Sequence, residues 1–262
     1  MTRRPRAAAA LTALALGLAA CATPAPAQEA TSRAAPADAW DGPLVVLAAS
    51  SLTDVLTTLE ERLEAEHPGL DVRTGFAASS TLVAQVLGGA PADVLVTAST
   101  SAMTEVTERL GGDPVVVAAN RLVLAVPGGN PGGVRTLADL ADPSLVVALC
   151  APQVPCGQVG DEMLARAGVV PAPDTLEPDV RAVLTRLRLD EADAGLVYLT
   201  DVAAAPGEVE GIEVPADLRV RTEYPALVLP DAPHPEAAAA YVRLLRGPVG
   251  REALRAAGFE LP

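Results

Sequence analysis

The chain of 262 residues contains no lysine; all 19 of its basic residues are arginine. That absence excludes Schiff-base chemistry, a phosphate-loop lysine and a serine–lysine dyad. Aromatic residues are scarce, with one Trp, three Tyr and two Phe. So few rings leave little for a sugar-stacking or base-stacking surface. Only two histidines occur, His67 and His234, each followed by proline. Neither lies in a nucleophile–base motif, and no Gly-x-Ser-x-Gly elbow is present. The chain therefore does not read as an enzyme. Its formal charge of -14 has the wrong sign for nucleic acid, whose phosphates need a basic face.

What is present begins with an export label. Arg3, Arg4 and Arg6 precede an apolar run from Ala7 to Ala20. This is the layout of a secretory signal, and it is shorter than the ~20 residues of a membrane-spanning helix. Residues 1–20 end in Leu18-Ala19-Ala20-Cys21, which resembles a bacterial lipobox. The resemblance implies cleavage before Cys21 and lipid attachment to it, holding the protein at the outer face of the cell membrane. An ordinary signal cleaved near Ala25 or Ala27 is the alternative. Residues 21–42 are rich in Ala, Pro, Thr and Ser without an apolar period, and read as lipid anchor and flexible tether. Without residues 1–20, 16 arginines face 33 acids, a net charge of -17. Export also places Cys150 and Cys156 in an oxidising compartment. Their spacing suits a disulfide, with a free buried pair as the alternative.

From Leu44 onward, short apolar runs alternate with amphipathic segments. Leu44–Ala49 reads as a buried strand, and Leu52, Val55, Leu56, Leu59 and Leu63 recur at helical spacing. Strands are expected at 70–76, 92–98, 122–126, 145–149, 194–198 and 226–229. Helices are expected around Leu82–Leu87, up to Leu110, around Leu137–Leu140, over 157–167, around Val180–Leu187, and over 235–245 and 249–257. Pro127–Gly133 reads as turn chemistry, because its glycines follow no dinucleotide fingerprint. Such alternation implies α/β architecture with mostly parallel sheets flanked by helices. Two lobes suit the length, with the ligand cleft at the carboxyl ends of their strands. The expected division is 43–122 and 225–262 for the first lobe and 123–224 for the second. The hinge is expected near Arg121–Pro127 and Glu223–Ala226.

Four strand-to-helix junctions carry small or capping residues: Ala48–Thr53, Phe76–Leu82, Val154–Gly157 and Glu177–Arg181. A helix start leaves backbone N–H groups unpaired and carries roughly half a positive charge. Serine hydroxyls can add donors there, which makes a ready anion site. Plain helix capping by the same serines is the alternative.

These junctions resemble those of bacterial periplasmic molybdate-binding proteins of ABC transporters, the ModA family. The resemblance rests on Ala48-Ala49-Ser50-Ser51-Leu52-Thr53-Asp54 and on Phe76-Ala77-Ala78-Ser79-Ser80-Thr81-Leu82. It continues through Gly89–Val94, Val154-Pro155-Cys156-Gly157, Asp179-Val180-Arg181-Ala182 and Gly195-Leu196-Val197-Tyr198. The motifs stand in family order from about Leu44 to the C-terminus. The resemblance implies a two-lobed periplasmic-binding-protein (type II) fold that closes on a tetrahedral oxyanion. By motif position it implies hydroxyl donors at Ser51, Ser79 and Tyr198 and backbone donors at Cys156 and Val180. Ser50 and Ser80 are the less expected neighbours. The family often has alanine at the position of Cys156, and a Cys150–Cys156 disulfide would brace that loop.

Molybdate, tungstate and sulfate are dianions near neutral pH and only accept hydrogen bonds, so a site of donors alone suits them. Phosphate keeps a proton, and a selective site would want a carboxylate acceptor. Asp54 and Asp179 read instead as charges at helix starts, and Arg181 as facing solvent. The reading is thus a monomeric solute-binding lipoprotein without cofactor. It captures molybdate and tungstate and hands them to an ABC permease in the membrane. A sulfate- or thiosulfate-type binder is the alternative. A metal-capture protein of the same fold is less favoured, because Tyr198, Tyr224 and Tyr241 do not cluster in sequence.

Overall fold

The computed structural model describes residues 41–262; the expected signal segment, Cys21 and the tether up to residue 40 lie outside the described residues. β1 (Gly42–Ala49) is the first apolar run, and it begins within the stretch read as tether. A 3-10 turn at Ser50–Leu52 leads into α1 (Thr53–Glu66), which buries Val55, Leu56, Leu59 and Leu63 along one face. β2 (Leu70–Ala77), α2 (Ser79–Leu87), β3 (Val94–Val96) and α3 (Thr100–Leu110) follow. β1 pairs in parallel with both β2 and β3, the geometry that helical crossovers produce.

β4 (Val115–Pro127) is longer than its apolar pattern predicts. The spacing marks a strand only over 122–126, because Asn120 and Arg121 interrupt the apolar run. In the fold both are accommodated. Asn120 is buried and its amide donates to the Thr200 hydroxyl at 2.9 Å. Arg121 reaches Glu213 and Glu260 at 3.5 and 3.9 Å.

The second lobe follows the expected alternation. It contains a 3-10 turn at Leu137–Ala141, β5 (Val147–Cys150), α4 (Pro155–Ala167), β6 (Thr175–Glu177), α5 (Val180–Arg188), β7 (Ala194–Tyr198), α6 (Leu199–Ala203) and β8 (Val209–Ile212). The short β6, α6 and β8 escape the pattern, since runs of three to five residues span too little of either period. β5 lies parallel to β6 and β7. The chain then returns through β9 (Arg221–Val228), α7 (Pro235–Arg246) and α8 (Pro248–Ala256). β9 starts before the expected 226, because its polar first residues find partners. The Thr222 hydroxyl, for instance, donates to the Ala98 carbonyl at 2.6 Å.

All nine strands join in one sheet, in the order β2-β1-β3-β9-β4-β7-β5-β6 with β8 on β4. The parallel pairs lie within the lobes, while β3–β9, β4–β9, β4–β7 and β4–β8 are antiparallel. β4 belongs to both lobes. Its residues Val115–Arg121 pair with β9, and Leu122–Ala125 pair with β7. Pro225 is tolerated inside β9 because the register shifts beside it, between Val116 and Ala118. The core is accordingly divided. One cluster centres on Leu122–Val126, β5, α4, α5 and β7. Two others hold β1, α1, α7 and Tyr224 on one side and α2, α3 and Leu227 on the other.

Cys150, the last residue of β5, is bonded to Cys156 near the start of α4. Both are buried. In the chain-entropy account a loop this short stabilises the fold by about 2 kcal/mol. Urea unfolding of the Cys150→Ala/Cys156→Ala variant should therefore give an unfolding free energy lower by about that amount. An unchanged midpoint would show that the bridge adds no stability.

Candidate functional site

The expected junctions converge. Ala49, Ser50 and Ser51 at the end of β1, Ala77–Ser79 at the start of α2, and Ala98 line one side of a cavity. Pro155 and Cys156 at the start of α4, Asp179 and Val180 at the start of α5, and Tyr198 at the end of β7 line the other. All five residues implied by the resemblance thus meet in one place: Ser51, Ser79, Cys156, Val180 and Tyr198. Ser50 joins them, whereas Ser80 faces a separate groove beside Ser101 and Gln153. The cavity is small, about 10 Å³, which is room for about one water-sized centre.

The polar atoms here are oriented by partners behind them. Ser79 Oγ accepts the backbone N–H of Ala98 at 2.9 Å. A serine hydroxyl has one proton and two lone pairs, so this contact uses a lone pair and leaves the proton available. Ser51 Oγ lies 2.8 Å from the hydroxyl of Tyr224. A phenol is more acidic than an aliphatic alcohol, so Tyr224 is the natural donor, and the Ser51 proton is again left for the cavity. Tyr224 is fully buried, with its ring edge-on to both Tyr198 and Phe259. Burial pushes its phenol well above the ordinary range, so it stays a neutral donor.

Tyr198 is the outlier. It is 1% exposed, and its hydroxyl makes no full hydrogen bond among the described residues, with the Tyr224 hydroxyl as its polar neighbour. Leaving such a donor unpaired costs on the order of 1–3 kcal/mol. Burial pushes its pKa up as well, so the hydroxyl remains a donor across the physiological range. Around it stand the first turns of α2, α4 and α5, whose leading N–H groups lack intrahelical partners. Asp179 lines the same cavity, but its carboxylate caps α5 by accepting the N–H groups of Arg181 and Ala182 at 2.8 and 3.1 Å. The acid is already committed, and what remains is a set of neutral donors. No group of three or more metal-ligating side chains occurs among the described residues.

Two charged neighbours depart from their expected roles. Arg181, expected to face solvent, turns across the cleft to Asp54 on α1, with contacts of 2.8 and 3.3 Å. It turns this way because Asp201 stands at its other side, 3.5 Å away and 1% exposed. A buried carboxylate needs a counter-charge, and Arg181 supplies it. Asp201 also accepts the Tyr198 backbone N–H at 3.0 Å. Tyr224 and Asp201 escape sequence reading. Tyr224 falls only within the expected hinge and does not cluster in sequence with the other tyrosines, and Asp201 falls in no motif.

Burial raises the Asp201 carboxyl from 3.8 to about 7, against the opposing pull of Arg181 and the Tyr198 N–H. A folded-state pKa above the unfolded one means that the native protein holds the proton more tightly. Its contribution to stability is full below about pH 4 and is lost as pH rises toward 7. The thermal midpoint of the wild type should therefore decline between about pH 4 and 7 more steeply than that of Asp201→Asn. Parallel curves would show that Asp201 does not titrate in this window.

With this geometry in view, comparison with known proteins is specific. Residues 44–260 match the family model described as bacterial extracellular solute-binding protein. The molybdate-binding protein ModA of Mycobacterium tuberculosis is 35% identical over 251 residues, covering 95% of each chain. The periplasmic molybdate-binding protein of Azotobacter vinelandii superposes with a TM-score of 0.73 at 24% identity, over 84% of this chain and 99% of that one. The sulfate-binding protein SubI of Mycobacterium tuberculosis superposes with a TM-score of 0.72 at 16% identity, over 84% and 87%. The two structures share the fold, while the sequence relationship spans nearly the whole chain. The chain belongs to the family of bacterial extracellular solute-binding proteins, as a relative of its molybdate-binding members.

Proposed function

We propose that this protein captures molybdate, and tungstate with it, outside the cell membrane and delivers it to an ABC permease. The observation that carries the reading is the Tyr198 hydroxyl, buried without a full hydrogen bond among the described residues, in a cavity that the Ser51 and Ser79 hydroxyls also line. A tetrahedral dianion offers oxygens to all three, and to the N–H groups of Cys156 and Val180. It accepts at every oxygen and donates at none, so no acidic partner is needed. Three helix starts add positive potential without a full charge.

The mechanism is binding alone, with no covalent step and no cofactor. The lining comes from both lobes, so capture proceeds by the lobes parting and re-closing on the anion. The crossing segments of β4 and β9 are the hinge. Closure buries the anion and presents both lobes to the permease together. The protein acts as a monomer, and the lipobox-like Leu18–Cys21 tethers it to the membrane through a lipid on Cys21.

Sulfate is the second reading. It has the same charge and geometry, and the donor-only set does not distinguish it. The difference lies in size, because molybdenum–oxygen bonds are longer than sulfur–oxygen bonds.

Calorimetric titration with molybdate, tungstate, sulfate and phosphate separates these readings. One-to-one binding of molybdate and tungstate, with sulfate far weaker, is the expected result. Tight sulfate binding would move the protein to sulfur-oxyanion uptake, and silence with all four would reduce the likeness to fold. Ser51→Ala and Ser79→Ala should each weaken binding by roughly 1.5–3 kcal/mol, the scale of a hydrogen bond to a charged group. Unchanged affinity in both variants would remove those hydroxyls from the site.

A further inference from the structure

The cleft carries an ion pair that the anion chemistry does not use. Arg181 is on the first turn of α5 in the second lobe, directly after Val180. Asp54 is on the first turn of α1 in the first lobe, shortly after Ser51. The guanidinium crosses between them in a forked contact, Nη1 to Oδ2 at 2.8 Å and Nη2 to Oδ1 at 3.3 Å. On its other side Nη1 stands 3.5 Å from Asp201, whose second oxygen holds the Tyr198 N–H. Asp54 and the Asp201 carboxyl therefore flank the Arg181 guanidinium, and Arg181 is not left to serve as an anion ligand.

The two contacts differ in one respect. Arg181 and Asp201 belong to the same lobe, so their contact survives when the lobes part. Arg181 and Asp54 belong to different lobes, so their contact exists only when the cleft is shut. We infer that Asp54 and Arg181 form a closure latch that sets how long the captured anion is held, with Asp201 keeping Arg181 aimed across the cleft. This rests on the oxyanion-binding reading above. Asp54 and Arg181 are positioning residues that act through lobe closure and do not touch the anion.

An interaction present only in the closed state leaves the encounter of anion with open cleft unaltered and slows reopening. Its loss falls on the dissociation rate. Asp54 is half-exposed, so the pair is partly screened; its forked geometry and its buried neighbour hold the guanidinium in place. These considerations set the effect at about three- to tenfold, at and above the upper end for exposed pairs.

The test follows release of labelled molybdate into excess unlabelled anion, alongside association, for the wild type, Asp54→Asn and Asp54→Glu. Asp54→Asn should release about three to ten times faster with association unchanged, and Asp54→Glu should stay close to the wild type. Added inert salt should speed release from the wild type and barely affect Asp54→Asn, because only the former has a pair to screen. A purely structural role for Asp54 would not produce that salt difference. Release from Asp54→Asn at the wild-type rate, or a loss confined to association, would overturn the latch while leaving molybdate binding intact. Absence of molybdate binding by the wild type would instead overturn the functional reading, and the latch with it.

Discussion

The antiparallel pairing of β4 with β9 is the constraint on which the rest depends. These strands carry the backbone between lobes, and their ladder over Val115–Arg121 and Arg221–Ala226 joins two otherwise separate cores. Each lobe has its own parallel strands, so each positions its own loops rigidly. Two loops of the first lobe and three segments of the second can then meet only in the arrangement that this shared ladder permits. The polar residues Asn120, Arg121 and Thr222 mark the crossing. Asn120 and Thr222 are tolerated because each finds a hydrogen-bond partner, Asn120 on Thr200 and Thr222 on Ala98, while Arg121 has the carboxylates of Glu213 and Glu260 at 3.5 and 3.9 Å.

The site is made by hydrogen bonds that face away from it. Ser79 is oriented by the Ala98 N–H, which leaves its proton unspent, and Ser51 is held by the Tyr224 hydroxyl. Tyr198 has its backbone held by Asp201 and its hydroxyl unsatisfied. Burying such donors opposes folding, since each forgoes a bond with water. A ligand that accepts from all of them recovers that loss. On the proposed reading, preference for a fully deprotonated oxyanion would follow from what is missing: Asp179, an acid lining the cavity, is spent on capping α5.

Charge is handled at one remove from the ligand. The chain is strongly acidic overall, yet Arg181 sits within the cleft, paired with Asp54 and beside the buried carboxyl of Asp201. Partial charges from helix starts act over contact distances in a space that excludes water, where they are least screened. A full positive charge there would hold any anion and blur selection by size. Placing it between two carboxylates leaves the donors to choose the ligand and gives the charge a separate task in closure.

Local information in the sequence determined a great deal. The alternation of apolar runs and helical periods gives most strands and helices, and capping residues at the junctions mark where an anion could bind. Cys150 and Cys156 are close enough in sequence for their bridge to be anticipated. Motif order supplies the family. The misses share one cause. β4 reads short because Asn120 and Arg121 look like breakers until their distant partners are known. Arg181 reads as solvent-facing, although Asp54 lies 127 residues away in sequence and a short reach away in space. Tyr224 is likewise separated by 173 residues from Ser51, the hydroxyl it orients. Sequence alone determined which residues could donate. Only the tertiary structure decided which partners hold those hydroxyls and which charges meet, because those depend on contacts between segments that local periodicity does not connect.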